Sequence, residues 1–166
     1  YVSLYETRNF TSAKEMKSPN VLEGGTSPEV SSLAFTPDSK WVIVSGYREP
    51  GEAAAFSVES SSISVYSESR SLKNAIFAIA TNPKSDSIAI CTVRGDLALF
   101  DRVLSERIAS VSAYDRWRCL SLAASPDGAH LFTGSNSGMA TTTFKRDTGE
   151  ADRRVNREPI KMWDAN

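Results

Sequence analysis

The chain has 166 residues, 40% of them hydrophobic, and a formal net charge of −1 at pH 7. This length allows one domain with a buried core, and the near-zero charge excludes an overall electrostatic attraction to nucleic acid or anionic membranes. No apolar run approaches the roughly 18–20 residues of a membrane-spanning helix, so we expect no membrane association.

The first predicted element is a strand at Val2–Glu6, in which apolar and variable residues alternate up to an aromatic ring. The polar segment 7–25 follows and is predicted to hold one edge strand near Phe10–Met16. Gly24–Pro28 then predicts a turn, because glycine and proline favour the backbone angles of a chain reversal.

A unit of two apolar strands joined by a proline-containing turn then occurs three times. The prolines are 46 and 43 residues apart, a spacing that predicts a repeat architecture. The strand pairs are Val30–Phe35 with Trp41–Ser45, Ile76–Ala80 with Ile88–Thr92, and Cys119–Ala123 with Leu131–Ser135.

Each unit is followed by another strand that ends in an aromatic residue. These strands are Ile63–Ser67, Leu97–Asp101 and Ile160–Asp164. The connection to this strand is a tight hairpin, Arg94–Asp96, in the second unit. In the first and third units it is predicted to be a long insertion, at Tyr47–Ser62 and Met139–Pro159.

The third unit resembles a blade of the WD-repeat β-propeller family. Ser125–Gly128 precedes an apolar strand, Thr133–Ser135 follows, and the last strand ends in Trp163-Asp164. The resemblance covers nearly the whole chain and implies an all-β fold of four-stranded antiparallel blades, with the aromatic-ended strand third in each. It divides the chain into a blade end at 1–25 and blades at 26–74, 75–116 and 117–166.

About three visible blades form only a partial ring, because a propeller closes with roughly four to eight blades. Alone they would leave apolar blade faces and strand edges in water. We therefore expect the rest of a longer chain, or another chain, to complete the ring.

The chain departs from the family where a Gly-His pair often precedes the innermost strand. In the family that histidine joins a buried hydrogen-bond network with Asp, Ser or Thr, and Trp. The corresponding stretches here are Gly24-Gly25, Lys73-Asn74 and Ala113-Tyr114, and the single histidine, His130, lies elsewhere. We expect the network to lack its histidine and the blades to be held mainly by apolar packing.

The two cysteines, Cys91 and Cys119, each lie in an apolar strand and lack the paired spacing of a zinc or redox motif. We expect two buried, reduced thiols. An intracellular protein, cytoplasmic or nuclear, follows from that expectation.

No pattern in the sequence predicts catalysis, a cofactor or a metal site. His130 lies beside a turn, and no nucleophile elbow is found near it. The aspartates that recur at turns and strand ends are expected to bind backbone amides. We therefore expect a protein that is not an enzyme.

The leading interpretation is a non-catalytic scaffold that binds other protein subunits within a multisubunit assembly. The resemblance implies that both insertions emerge on one rim, together with the loops before the inner strands. For Trp117, packing in the core is favoured over a surface contact. The predicted partner-binding residues of this rim are Tyr47, Arg48, Asn74, Arg94, Tyr114, Arg116 and Trp117.

The alternative is a ribonucleoprotein-associated propeller, of the kind used in RNA processing or ribosome biogenesis. It would contact RNA through the insertion at 145–158, although the mixed charge of that insertion is more typical of a solvated loop. A propeller enzyme is the least favoured interpretation. The basic residues of the insertion are Lys145, Arg146, Arg153, Arg154 and Arg157.

Overall fold

The computed structural model describes most of the middle of the chain and shorter pieces toward its ends. The described residues are 2–5, 12–16, 30–47, 49–60, 63–65, 72–102, 104–114, 117–135, 141–144, 151–154 and 160–164.

Over these ranges the secondary structure consists of β-strands, turns and bends, and no helix long and apolar enough to cross a membrane is found among them. The strands, numbered in chain order, are β1 (Val2–Tyr5), β2 (Ser12–Met16), β3 (Val30–Phe35), β4 (Trp41–Gly46), β5 (Glu52–Ser57), β6 (Ile63–Val65), β7 (Ile76–Thr81), β8 (Ile88–Thr92), β9 (Asp96–Phe100), β10 (Arg107–Ser112), β11 (Cys119–Ala124), β12 (His130–Ser135), β13 (Thr141–Phe144), β14 (Ala151–Arg154) and β15 (Ile160–Asp164).

The strands form antiparallel sheets in which each strand pairs with the next along the chain, except that β12 pairs with β15 across the β13–β14 hairpin. We call β3-β4-β5-β6 blade one, β7-β8-β9-β10 blade two and β11-β12-β15 blade three. Two further sheets are pairs, β1 with β2 and β13 with β14. The prediction of an all-β fold built from antiparallel blades is confirmed, and the blade boundaries in the sequence remain a prediction.

The repeat is visible in the strand register as well as in the turns. The pairing of each inner strand with the next shifts within its first three residues, between Val30 and Ser32, between Ile76 and Ala78, and between Cys119 and Ser121. Val30, Ile76 and Cys119 each lie seven residues before the proline of their unit. An irregularity at the same place in three sheets belongs to the repeat itself.

Apolar residues fill the spaces between neighbouring blades. One buried cluster joins Ile43 and Ala55 of blade one to Ile79, Ile90 and Phe100 of blade two. Full burial of one such Ile or Phe side chain contributes about 1.5–3 kcal/mol. A second buried cluster joins blade two to blade three, and its members are Ala78, Ala89, Cys91, Leu97, Ala113, Tyr114, Cys119 and Leu131.

The predicted long insertion at Tyr47–Ser62 is wrong. β5 (Glu52–Ser57) lies within it and pairs with β4 along its whole length. Ile63–Val65 is therefore the fourth strand of blade one and not its third. Ala53–Ala55 lack the β-branched residues that mark a strand in sequence, and their small side chains suit buried positions that are 0–1% exposed.

The prediction of two reduced thiols is also wrong, because Cys91 and Cys119 form a disulfide. Cys91 lies on β8 and Cys119 on β11, and their Cα atoms are 5.6 Å apart. Packing of blade three against blade two brings together residues that are 28 positions apart in sequence. The thiol argument for a reducing compartment falls with this finding, and an intracellular location remains a prediction without that support.

Candidate functional site: one rim of the blades

Four connections between strands lie together at one end of the blades. Backbone hydrogen bonds join them in series: Gly51 N donates to the carbonyl oxygen of Leu72, Val93 N to that of Ala75, and Ala113 N to that of Gly95, over 2.8–2.9 Å. We call this end the rim. Its described residues are 47, 49–51, 72–75, 93–95, 113–114 and 117–118.

Two glycines allow the rim connections to interlock. A Cβ at Gly51 would collide with the carbonyl oxygen of Asn74, and one at Gly95 would collide with those of Tyr114 and Trp117. Gly95 also has a φ of 82°, which side-chain-bearing residues rarely adopt. Each hairpin therefore supports the loop that leads into the next blade, so the rim is held by backbone contacts.

Trp117 lies on the surface of the rim and is 50% exposed, although its sequence context favoured packing in the core. Its backbone N donates to the carbonyl oxygen of Tyr114 over 3.3 Å, and its own carbonyl lies against Gly95. Arg118 follows it in the same loop, and Arg94 lies in the hairpin between β8 and β9. Both arginines are exposed. A large aromatic ring is thus presented to solvent from a fixed backbone.

Tyr47 is the second exposed aromatic residue of the rim, at 42%. Its ring meets the edge of Phe77 at an angle of 88°, with 5.8 Å between the ring centroids. This edge-to-face contact orients the ring while 42% of the residue stays exposed.

Asn74 forms a hydrogen-bond network at the position where the family places its histidine. Its Nδ2 donates to Asp96 Oδ2 over 3.0 Å, and Thr92 Oγ1 donates to the same oxygen over 3.1 Å. Asp96 N in turn donates to Thr92 Oγ1 over 3.1 Å. An amide thus lies where the family often has histidine, and its hydrogen bond positions the loop.

Tyr114 has the corresponding role between blades two and three. It is fully buried, and its hydroxyl lies 2.8 Å from Thr133 Oγ1 and 2.9 Å from the Thr133 carbonyl oxygen. Burial raises the pKa of this phenol. Its place in the predicted contact set is therefore corrected: the side chain joins two blades and is not available to a partner on the rim.

The remaining predicted contact residues are described only in part. Arg153 and Arg154 lie on β14, which pairs with β13 as a hairpin inserted between β12 and β15 of blade three. Contact with RNA through this insertion remains a prediction. Arg48, Arg116, Lys145, Arg146 and Arg157 lie outside the described residues.

His130 lies at the start of β12, beside the turn that follows Pro126. Its backbone N donates to Ser125 Oγ over 2.9 Å. In the part of the chain that the structure describes, no group of three or more His, Cys, Asp or Glu side chains is placed to hold a metal ion.

Comparison with known proteins finds a family match over part of the chain. Residues 16–49 match the family model described as WD domain, G-beta repeat (WD40). The matched segment runs from the end of β2 through blade one's first two strands to the rim at Tyr47 and Glu49. The curated proteins contain no match to the chain.

Proposed function

From the WD40 repeat that this chain carries, we propose that the protein is a non-catalytic scaffold that binds other protein subunits through the rim. WD40 repeats imply a protein-interaction function of this general kind. The observation that supports the rim as the binding surface is the exposed Trp117 ring on a loop fixed by its neighbours.

The mechanism is preorganisation of the contact residues. Trp, Tyr and Arg residues dominate binding energy at protein interfaces, and the rim presents Trp117, Tyr47 and Arg94 in exposed positions. Because Gly51 and Gly95 already hold their loops in place, little conformational entropy is lost on binding.

The test compares Trp117→Ala with Ile108→Ala in the full-length protein. Ile108 is 53% exposed on β10, away from the rim, so it is a matched control for loss of exposed apolar area. Proteins that co-purify with the wild type should be lost from Trp117→Ala and retained by Ile108→Ala. With a partner in hand, calorimetry should show affinity about tenfold or more weaker, as for truncation of an interface hot spot. Equal recovery by both variants would place the binding surface elsewhere.

We further propose that additional β-sheet covers the two outer blade faces. On the face of blade one that points away from blade two, Leu33 and Phe35 of the inner strand are 52% and 48% exposed, whereas Val44 and Phe56 are buried. Phe132 and Met162 of blade three pair across β12 and β15 and are 36% and 53% exposed. Apolar faces of this kind are the surfaces on which neighbouring blades pack. Either the rest of a longer chain or another chain would supply the cover.

A further inference from the structure

A groove runs along the outermost strand of blade two, on the side that faces blade one. Its volume is about 290 Å³, near the lower limit of pockets that hold small ligands or a few side chains. The floor is apolar and the walls are polar. The lining residues are Leu72, Lys73, Asn74, Asp96, Ala98, Arg107, Ser110, Val111 and Ser112.

The lining of the groove carries a net positive charge, from two cations and one acid. Lys73 and Arg107 are exposed, and neither side chain has a hydrogen bond or ion pair within the described ranges. The one acid in the lining, Asp96, already accepts hydrogen bonds from Asn74 and Thr92 through Oδ2. These neutral donors orient the carboxylate and leave its charge, so the lining holds two cations and one anion. The net positive charge of the lining favours an acidic ligand.

The strand register places the two cations at opposite ends of the groove. Arg107 pairs with Phe100 at one end of β10, and Ser112 pairs with Asp96 at the other. Asn74 binds Asp96, so the adjacent Lys73 belongs to the Ser112 end. Because of the register shift in β10, the five residue steps from Arg107 to Ser112 lie opposite only four steps of β9, which span about 13 Å. Two acids about four residues apart in an extended chain, about 13 Å, match this span and point to the same side.

The outer edge of β10 is unsuited to simple strand addition. Its pairing with β9 shifts between Arg107 and Ala109, and the intervening Ile108 lies exposed at this irregularity. Bulges of this kind interrupt the row of backbone groups to which another strand would pair. Recognition in the groove would therefore depend on side chains, namely the two cations and the hydroxyls of Ser110 and Ser112.

We propose that this groove binds an extended segment of a partner protein in which two acidic side chains are about four residues apart and small residues lie between them. Leu72 and Ala98, which line the groove, leave room for small side chains at the intervening positions. The site is separate from the proposed contact of Trp117 with a partner, and either can fail without the other.

The probe is a fluorescent peptide that contains Glu-Ala-Ser-Ala-Glu, measured by anisotropy with the full-length protein at low salt. Binding should disappear when both Glu are replaced by Gln and should weaken when the two Glu are adjacent. The double variant Lys73→Gln/Arg107→Gln should weaken binding about tenfold, as expected for loss of two partly exposed ion pairs. Trp117→Ala should have no effect.

The matched control is Lys40→Gln/Lys84→Gln, which removes the same charge from exposed positions outside the groove. If both double variants weakened peptide binding equally, the net charge of the protein would explain the binding, and the proposal would be overturned. So would absence of peptide binding, or indifference to the spacing of the acids. Displacement of the peptide by inorganic phosphate at equal concentration would identify a small-anion site instead of a peptide groove.

Discussion

Tyr114 and Asn74 each position the loop before an inner strand, Tyr114 through a phenol hydroxyl and Asn74 through a side-chain amide. Each lies in the loop before an inner strand, where the family often has histidine, and each binds a polar group of a strand nearby. Tyr114 reaches Thr133 of blade three, and Asn74 reaches Asp96 of blade two. A search of the sequence for imidazole could not find these contacts, because the position requires a hydrogen-bonding side chain of suitable length and not one particular residue.

We expect Tyr114→Phe to lower the free energy of unfolding by about 1 kcal/mol, the usual net value of one buried hydrogen bond. Tyr47→Phe is the matched control, because Tyr47 is 42% exposed and no hydrogen bond of its hydroxyl is found among the described residues. Urea denaturation of both variants checks this. A loss for Tyr114→Phe no larger than that for Tyr47→Phe would contradict the assigned role of the hydroxyl.

We expect the Asp38 carboxyl, in the turn between β3 and β4, to contribute to the free energy of unfolding in a way that depends on pH. The side-chain hydroxyl of Thr36 donates to Asp38 Oδ1 over 2.6 Å and the backbone N of Lys40 over 3.1 Å, which together lower the pKa of this carboxyl below 3.8. A lowered folded-state pKa stabilises the fold above pH 3.8, and the contribution is lost as the pH falls through the lower folded-state value.

Thr36→Val should therefore raise the pKa of Asp38 toward 3.8 and reduce the loss of stability on acidification. Carboxyl titration by NMR measures the first effect and denaturation at stepped pH the second. Asp127, whose pKa is lowered by Ser125 and by the backbone N of Ala129, serves as the internal control because its own turn is unchanged. An unchanged titration of Asp38 would show that Thr36 is not the cause.

Among the elements, the strand pairs on either side of the proline turns could be predicted, but the outer strands were harder. β3 with β4, β7 with β8 and β11 with β12 combine apolar alternation with a turn whose residues fix the reversal. β5 is rich in alanine, and β10 is exposed and polar over most of its length, so neither shows apolar alternation. Their strand conformation depends on partners in the sheet, which a local pattern does not reveal.

Part of the candidate site, the rim, could also be predicted from the sequence. Loop lengths and the repeat indicated the rim, and Tyr47 and Trp117 are exposed there. The groove beside β10 was not predicted, since it depends on Lys73 and Arg107, which are 34 positions apart and meet only through the register of the sheet.

The disulfide between β8 and β11 should make the stability of the protein sensitive to reductant. Closing a loop between residues 28 positions apart is worth about 3–4 kcal/mol in the chain-entropy account. Denaturation with and without dithiothreitol measures this, and Cys91→Ala/Cys119→Ala should show no difference between the two conditions. Alkylation of both cysteines in native protein purified without reductant would contradict the bond.

At the scale of the whole molecule, cover of the outer blade faces predicts that alanine substitutions at two exposed apolar residues lower the free energy of unfolding by different amounts. In the full-length protein, Phe132→Ala should cost about 3–5 kcal/mol, the value for a buried phenylalanine, because its face would be packed. Ile108→Ala should cost less than about 0.5 kcal/mol, as at an ordinary surface position. Chemical denaturation compares them, and a small loss for both would mean that blade three's outer face stays in water.

The interlocked rim has a consequence for how the blades come apart. Gly51 and Gly95 each lie beneath a loop that belongs to the following blade, so a sheet is not complete until its successor has docked. We therefore expect cooperativity to depend on the junctions, because the contacts of residues 72–76, and those of 113–114 and 117, must break before neighbouring sheets can separate. Removing one sheet should therefore also destabilise the sheet beside it.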